Sequence, residues 1–107
     1  MAKYLLQASY SVEGTQGLLK DGASKRRTAI QEAVQGVGGK LESIYYALGE
    51  HDVYLIVDVP DAVSITAVAM AARAAGALSS ASTVPLLTIE EMDKAVKTAV
   101  HYRKPGQ

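Results

Sequence analysis

Gly49-Glu50-His51-Asp52 lies between two apolar stretches and sets an imidazole directly beside a carboxylate. A carboxylate next to an imidazole can fix its tautomer and raise its basicity, which is what general-base chemistry needs. Adjacent residues in extended backbone point to opposite faces, however, so a direct His51–Asp52 contact depends on the geometry of the turn. The plainer reading is a hairpin turn in which Asp52 caps backbone N–H groups, and the turn-forming residue types favour it.

Tyr45 and Tyr54 are the next candidates. On one face of a sheet they could line a pocket and offer hydroxyls to an apolar ligand. Tyrosine also favours strands and interfaces for their own sake, which accounts for both residues, and for Tyr10, without a ligand. Lys25-Arg26-Arg27 makes a basic cluster at a helix start, where free N–H groups could help hold a phosphate or carboxylate; charges in that position are more often simply solvated. Asp58, inside an apolar run, reads either as a buried acid or as a rim residue. Gly36-Val37-Gly38-Gly39 ends a helix instead of opening one, the wrong context for cradling phosphate. His101 falls in the last turn of a C-terminal helix, where a cation suits the helix dipole. No catalytic residue is named by any motif. His51, Asp52, Tyr45 and Tyr54 are the ligand-binding candidates.

Composition narrows the partners. Eleven basic residues balance eleven acidic ones, so there is no basic face of the kind that nucleic-acid binding requires. The chain has no cysteine and two histidines, which excludes disulfides and thiol chemistry and argues against a structural zinc site. No cofactor is called for. Met1-Ala2-Lys3-Tyr4 does not read as a signal peptide and no apolar run is long enough to span a bilayer, so a cytoplasmic protein without a membrane partner is expected. The 107 residues, about half of them hydrophobic, suit one domain with a packed core and a frayed tail at 103–107.

The elements that must position these residues follow from periodicity. Lys3 to Ser11 reads as a strand, broken by Glu13-Gly14-Thr15 and Gly17, with a helical turn at Leu18 to Lys20. Ser24 is placed to cap a helix from Lys25 to Val37, whose stripe of Ala29, Ile30, Ala33, Val34 and Val37 has helical spacing before Gly38-Gly39 stops it. Lys40 to Leu48 and Asp52 to Val59 read as a hairpin. A helix over Val63 to Ala75 ends at Gly76, and Ala77 to Leu87 is a strand that Pro85 marks as an edge or bulged one. Thr88-Ile89-Glu90-Glu91 is a capping box opening a helix that runs to about Tyr102. The order β-α-β-β-α-β with an added C-terminal helix is the ferredoxin-like α+β arrangement: a four-stranded antiparallel sheet with its helices on one face.

A two-residue loop at Glu50-His51 would oppose Leu48 to Val53, Tyr46 to Leu55 and Ile44 to Val57 on a helix-packing face. Its other face would oppose Ala47 to Tyr54, Tyr45 to Ile56 and Ser43 to Asp58. Helices on one side only would leave Tyr45, Tyr54 and Ile56 wet, each forgoing roughly 1.5–3 kcal/mol of burial. The natural cover is another protomer's sheet, so a dimer packed sheet to sheet is expected. The helix over 63–75 points the same way: apart from Ser64, Thr66 and Arg73 it is apolar all round.

The chain resembles the GYD-domain family, small bacterial and archaeal proteins named for a Gly-x-Tyr-Asp motif. The likeness rests on Tyr4-Leu5-Leu6 with Ala8-Ser9-Tyr10, Glu13-Gly14 with Gly17-Leu18-Leu19-Lys20, and Gly38-Gly39-Lys40-Leu41-Glu42. Gly49-Glu50-His51-Asp52-Val53, Val57-Asp58-Val59-Pro60-Asp61 and Pro85-Leu86-Leu87-Thr88 follow in order. His51 stands where the family signature has its tyrosine. The resemblance implies the dimeric α/β-barrel fold, which is shared with small monooxygenases, isomerases and haem-handling enzymes, and it leaves the activity open.

The expectation for function is therefore a homo-oligomeric binding and assembly module, a homodimer or higher ring, with a small-molecule pocket at the sheet face. The enzyme alternative is a cofactor-independent oxygenase or isomerase acting on a small aromatic or apolar substrate, by analogy of fold. A nucleotide-binding signalling oligomer is the third reading, weakened by the lack of a phosphate-cradling loop.

Overall fold

A computed structural model describes residues 1–107. Strand β1 (Ala2–Tyr10) leads into helices α1 (Val12–Asp21) and α2 (Ala23–Gly36) and the strands β2 (Lys40–Tyr46) and β3 (Val53–Val59). Helix α3 (Ala62–Ala74), strand β4 (Leu78–Leu86) and helix α4 (Ile89–Lys97) complete the chain. The strands form one antiparallel sheet in the order β2-β3-β1-β4, the ferredoxin-like α+β arrangement. No helix is long and apolar enough to cross a membrane.

Alternation along the strands divides the sheet into two faces. Ala8 of β1 and Val53, Leu55, Val57 and Val59 of β3 are buried with Val34 of α2 and Ile65 of α3. Tyr4, Leu6, Tyr10, Ile44, Leu78 and Ala81 pack around this core from the same side. The intervening residues, among them Leu5, Tyr45, Tyr54, Ile56, Asp58 and Val84, lie on the opposite face, which no helix of the chain covers. β4 is an edge strand, as Pro85 requires, and its pairing with β1 shifts register at Ser9/Tyr10.

The β2–β3 hairpin differs from the expected register by two residues. Tyr46 pairs with Val53, Tyr45 with Tyr54 and Ile44 with Leu55, and the ladder closes with Ala47 N–H donating to the Asp52 carbonyl at 2.8 Å. Asp52 is the reason. Its N–H donates to Ala8 O at 2.9 Å and its carboxylate accepts the Tyr10 N–H at 2.9 Å, so the residue extends the β1–β3 seam instead of closing a two-residue turn. A shift of two preserves the faces, so Tyr45, Tyr54, Ile56 and Asp58 still lie together. A second irregularity between Leu41 and Ser43 sets Ser43 against Ile56 and Lys40 against Asp58, replacing the expected Ser43–Asp58 pair.

The segment read as broken by glycines is the ten-residue α1. Ser11 caps it by accepting from Gly14 N–H at 3.0 Å. Gly14 is in the helix because a Cβ there would collide with the Ala77 carbonyl, against which α1 lies so closely that Ser11 N–H bonds the same oxygen at 3.0 Å. α2 starts two residues earlier than expected: Gly22, at φ +83°, occupies the cap, and Ser24 sits inside the first turn. Ile30 and Val34 of α2 and Val37 just after it face the core, while Ala29 and Ala33 are exposed. α3 is buried on one side only within its chain: Ile65 and Val68 face inward and Val63 and Met70 are exposed.

The capping box of α4 forms in full, with Thr88 Oγ1 accepting from Glu91 N–H at 3.1 Å and the Glu91 carboxylate accepting from Thr88 N–H at 2.9 Å. The helix ends at Lys97, short of the expected Tyr102. It also leaves the body of the domain: the radius of gyration is 16.8 Å and the extents are 57 × 32 × 23 Å, where a compact chain of this length has a radius near 13 Å.

Candidate functional site

Of the four residues singled out from the sequence, the structure joins three through Tyr54. Tyr45 and Tyr54 are direct cross-strand partners on the uncovered face. The His51 ring meets Tyr54 edge to face, with centroids 5.9 Å apart and planes at 83°. The turn is drawn toward this face by Ser9, whose hydroxyl donates to the Glu50 carbonyl at 3.3 Å. His51 Nδ1 is buried and has no hydrogen-bond partner, whereas Tyr45 is 72% exposed.

Asp52 goes elsewhere. Its carboxylate binds the Tyr10 N–H, and its side chain makes no hydrogen bond to His51. The adjacent imidazole and carboxylate are therefore not a catalytic dyad in this structure; the turn assigns them to opposite sides of the sheet.

At the far end of the uncovered face, buried Asp58 is answered by Lys3 Nζ at 2.9 Å, and the same ammonium holds Glu42 at 2.6 Å. These bonds, to Glu42 first and Asp58 second, raise the Lys3 pKa above its ordinary value and keep it charged. Asp58 is thus a paired structural acid.

The helix side holds a second constellation that the sequence reading did not assemble. Tyr10 and Tyr46 stack at 6.4 Å between centroids and 17° between planes, with their hydroxyls 3.4 Å apart. Burial of the Tyr46 phenol, then its bond to Tyr10, push the Tyr46 pKa far above the usual tyrosine range, and nearby Arg26 opposes the shift. Tyr10 lines three adjoining hollows. One, beside Tyr46, Leu48 and Asp52, is open and about 420 Å³. The other two share Tyr10 and Arg26 and lie against α3. The sequence carried a signal for Arg26: it stands four and eight residues before Ile30 and Val34, on the stripe that α2 turns to the core.

Residues 4–96 match the GYD domain. The chain belongs to the GYD-domain family. A search of curated proteins finds no match. In this GYD domain the aspartate that closes the signature turn is the residue that ties the β2–β3 connection to β1, and the position before it places an imidazole on Tyr54.

Proposed function

We propose that this GYD domain is a homo-oligomeric assembly module whose uncovered sheet faces pack against one another, enclosing a small-molecule pocket around Tyr54, Tyr45 and His51. The observation that carries this reading is the uncovered face itself, where Leu5, Tyr45, Tyr54, Ile56 and Val84 stand together with no layer over them. Covering each large side chain is worth roughly 1.5–3 kcal/mol, and a second copy of the same face offers matching apolar strands.

Helix α4 supports the same reading. Ile89, Met92 and Val96 recur at i, i+3 and i+7 and are 76%, 53% and 74% exposed. A nine-residue helix is too short to persist in water on its own, so its apolar stripe calls for cover from outside its own chain. Leaving the body from edge strand β4, it is placed to embrace a neighbour.

The test is the mass in solution by light scattering at micromolar concentration. A dimer or larger ring is expected for the wild type, and Tyr54→Asp, which puts a charge in the middle of the face, should give monomers. A monomeric wild type would refute the reading.

One observation favours the enzyme alternative, a cofactor-independent oxygenase or isomerase at the same face. An orphaned, buried His51 Nδ1 is a proton acceptor or donor without a structural duty. Under that reading a small aromatic substrate raises the melting temperature, and His51→Ala and Tyr54→Phe abolish the shift without unfolding the protein.

A further inference from the structure

A groove runs between α2 and α3, on the side of the sheet away from the proposed interface. Its inner part is a hollow of about 80 Å³ walled by Leu6, Ile30, Leu55, Val68 and Leu78, with small residues of α3 closing one side. Arg26 is the only charged residue in that lining. The hollow shares Tyr10, Arg26, Ala72 and Ala77 with an outer recess of about 330 Å³, whose rim adds Glu13 and Asp21.

Arg26 is half-buried, and its guanidinium has neither an ion pair nor a hydrogen bond; Glu13 and Asp21 border the same recess without pairing to it. The ion pairs of the chain are those of Lys3. A guanidinium is a five-donor fork that matches a carboxylate, and no group of the chain uses the donors of this one. A chamber of about 80 Å³ has room for roughly five to eight water-sized groups, since one such group needs about 10–15 Å³.

We propose that this groove binds a small amphipathic carboxylate, its apolar body in the inner hollow and its carboxylate on Arg26. The hollow supplies the apolar walls that small-molecule sites use, and the unpaired guanidinium supplies the polar group that fixes orientation. Tyr10 lines both the hollow and the recess, and its hydroxyl lies 3.4 Å from that of Tyr46. The site is formed within one chain and stands whether or not the sheets pair.

The test uses hexanoate as probe, with hexanamide and hexylamine as neutral and cationic counterparts, followed by calorimetry and by amide chemical shifts. Hexanoate is expected to bind saturably and to move the amides of Ile30, Val68 and Ala72. Arg26→Gln should weaken hexanoate by about tenfold or more, the size of one charge-assisted hydrogen bond, and leave hexanamide unchanged. Arg27→Gln, on the exposed side of the same helix, should change neither. Ala72→Leu, which fills the hollow, should remove both ligands.

The proposal is overturned by no saturable hexanoate binding at millimolar concentration, by hexylamine bound more tightly than hexanoate, or by an Arg26→Gln variant that binds hexanoate like the wild type. Shifts confined to residues of the uncovered face would likewise move the ligand to the other site and sink this one.

Discussion

Asp52→Ala separates the structural role of the signature turn from a catalytic one. The Asp52 carboxylate accepts the part-buried Tyr10 N–H at 2.9 Å, beyond the last β1–β3 ladder pair at Ala8 and Val53. Removing it deletes a hydrogen bond to a charged acceptor and leaves a backbone donor unanswered, a cost of about 1–3 kcal/mol. At this chain length each kcal/mol lowers the melting temperature by about 4 °C, so the midpoint should fall by roughly 4–12 °C. Hydrogen exchange gives the local readout. The Tyr10 amide should lose protection, while Leu6, deep in the β1–β3 ladder, loses only what global stability dictates. Asp52→Asn keeps an acceptor and should recover part of the loss. If Asp52→Ala keeps the wild-type midpoint and Tyr10 keeps its protection, Asp52 does not hold the seam and the account of the shifted register fails.

Gly14→Ala should destabilise the fold although alanine is the better helix former, because the new Cβ meets the Ala77 carbonyl; a loss of about 1–3 kcal/mol in urea unfolding is expected, and a gain would contradict the close approach of α1 to the α3–β4 connection. Asp61 caps α3 by accepting from Ser64 N–H and Oγ, both at 2.9 Å, and the backbone bond first, then the hydroxyl, lower its pKa. A lowered carboxyl pKa stabilises the fold above the unfolded value near 4 and stops doing so as pH falls through the folded value; the midpoint difference between wild type and Asp61→Ala should therefore be present at pH 7 and shrink toward pH 3. Tyr46→Phe should leave the tyrosinate absorbance gained up to about pH 11 nearly unchanged, since partial burial and then the bond to Tyr10 raise that phenol's pKa; a lost increment would mean that they do not.

How far the sequence could be read depended on the range of the interaction that decided each element. β3 was legible because Val53, Leu55, Val57 and Val59 alternate on one strand and share one core. The capping box at Thr88 and the stop at Gly38 involve residues within a few positions of one another, and both appear in the structure. α1 was not legible. Of its two glycines, Gly14 is explained by a carbonyl at Ala77 and Gly17 has open space around it, and in single sequence both read as breakers. The hairpin register was lost for the same reason, since the partner that draws Asp52 out of the turn is Tyr10, on another strand. At the site, Tyr45 and Tyr54 could be assigned one face by parity alone. Arg26 looked like one more solvated charge among Lys25 and Arg27 until its place on the Ile30–Val34 stripe acquired a cavity.

The signature turn stands where these two sides meet. His51 reaches the uncovered face and packs on Tyr54, in the middle of the proposed interface. Asp52, one residue on, holds the end of β1, and with it Tyr10, whose ring stacks on Tyr46 and walls the Arg26 groove. A single peptide unit thus joins the residue that packs on one face to the residue that holds the other. Closing a second sheet over His51 would fix the Glu50–Asp52 backbone, and the Asp52–Tyr10 bond would carry that constraint to the groove wall. Such a linkage must be reciprocal if it exists. Hexanoate in the groove should then shift the monomer–oligomer balance in the wild type, and the shift should vanish in Asp52→Ala even where that variant still binds hexanoate. Sedimentation with and without the probe measures both. An equal shift in the two proteins would mean that the turn positions each face separately and transmits nothing between them.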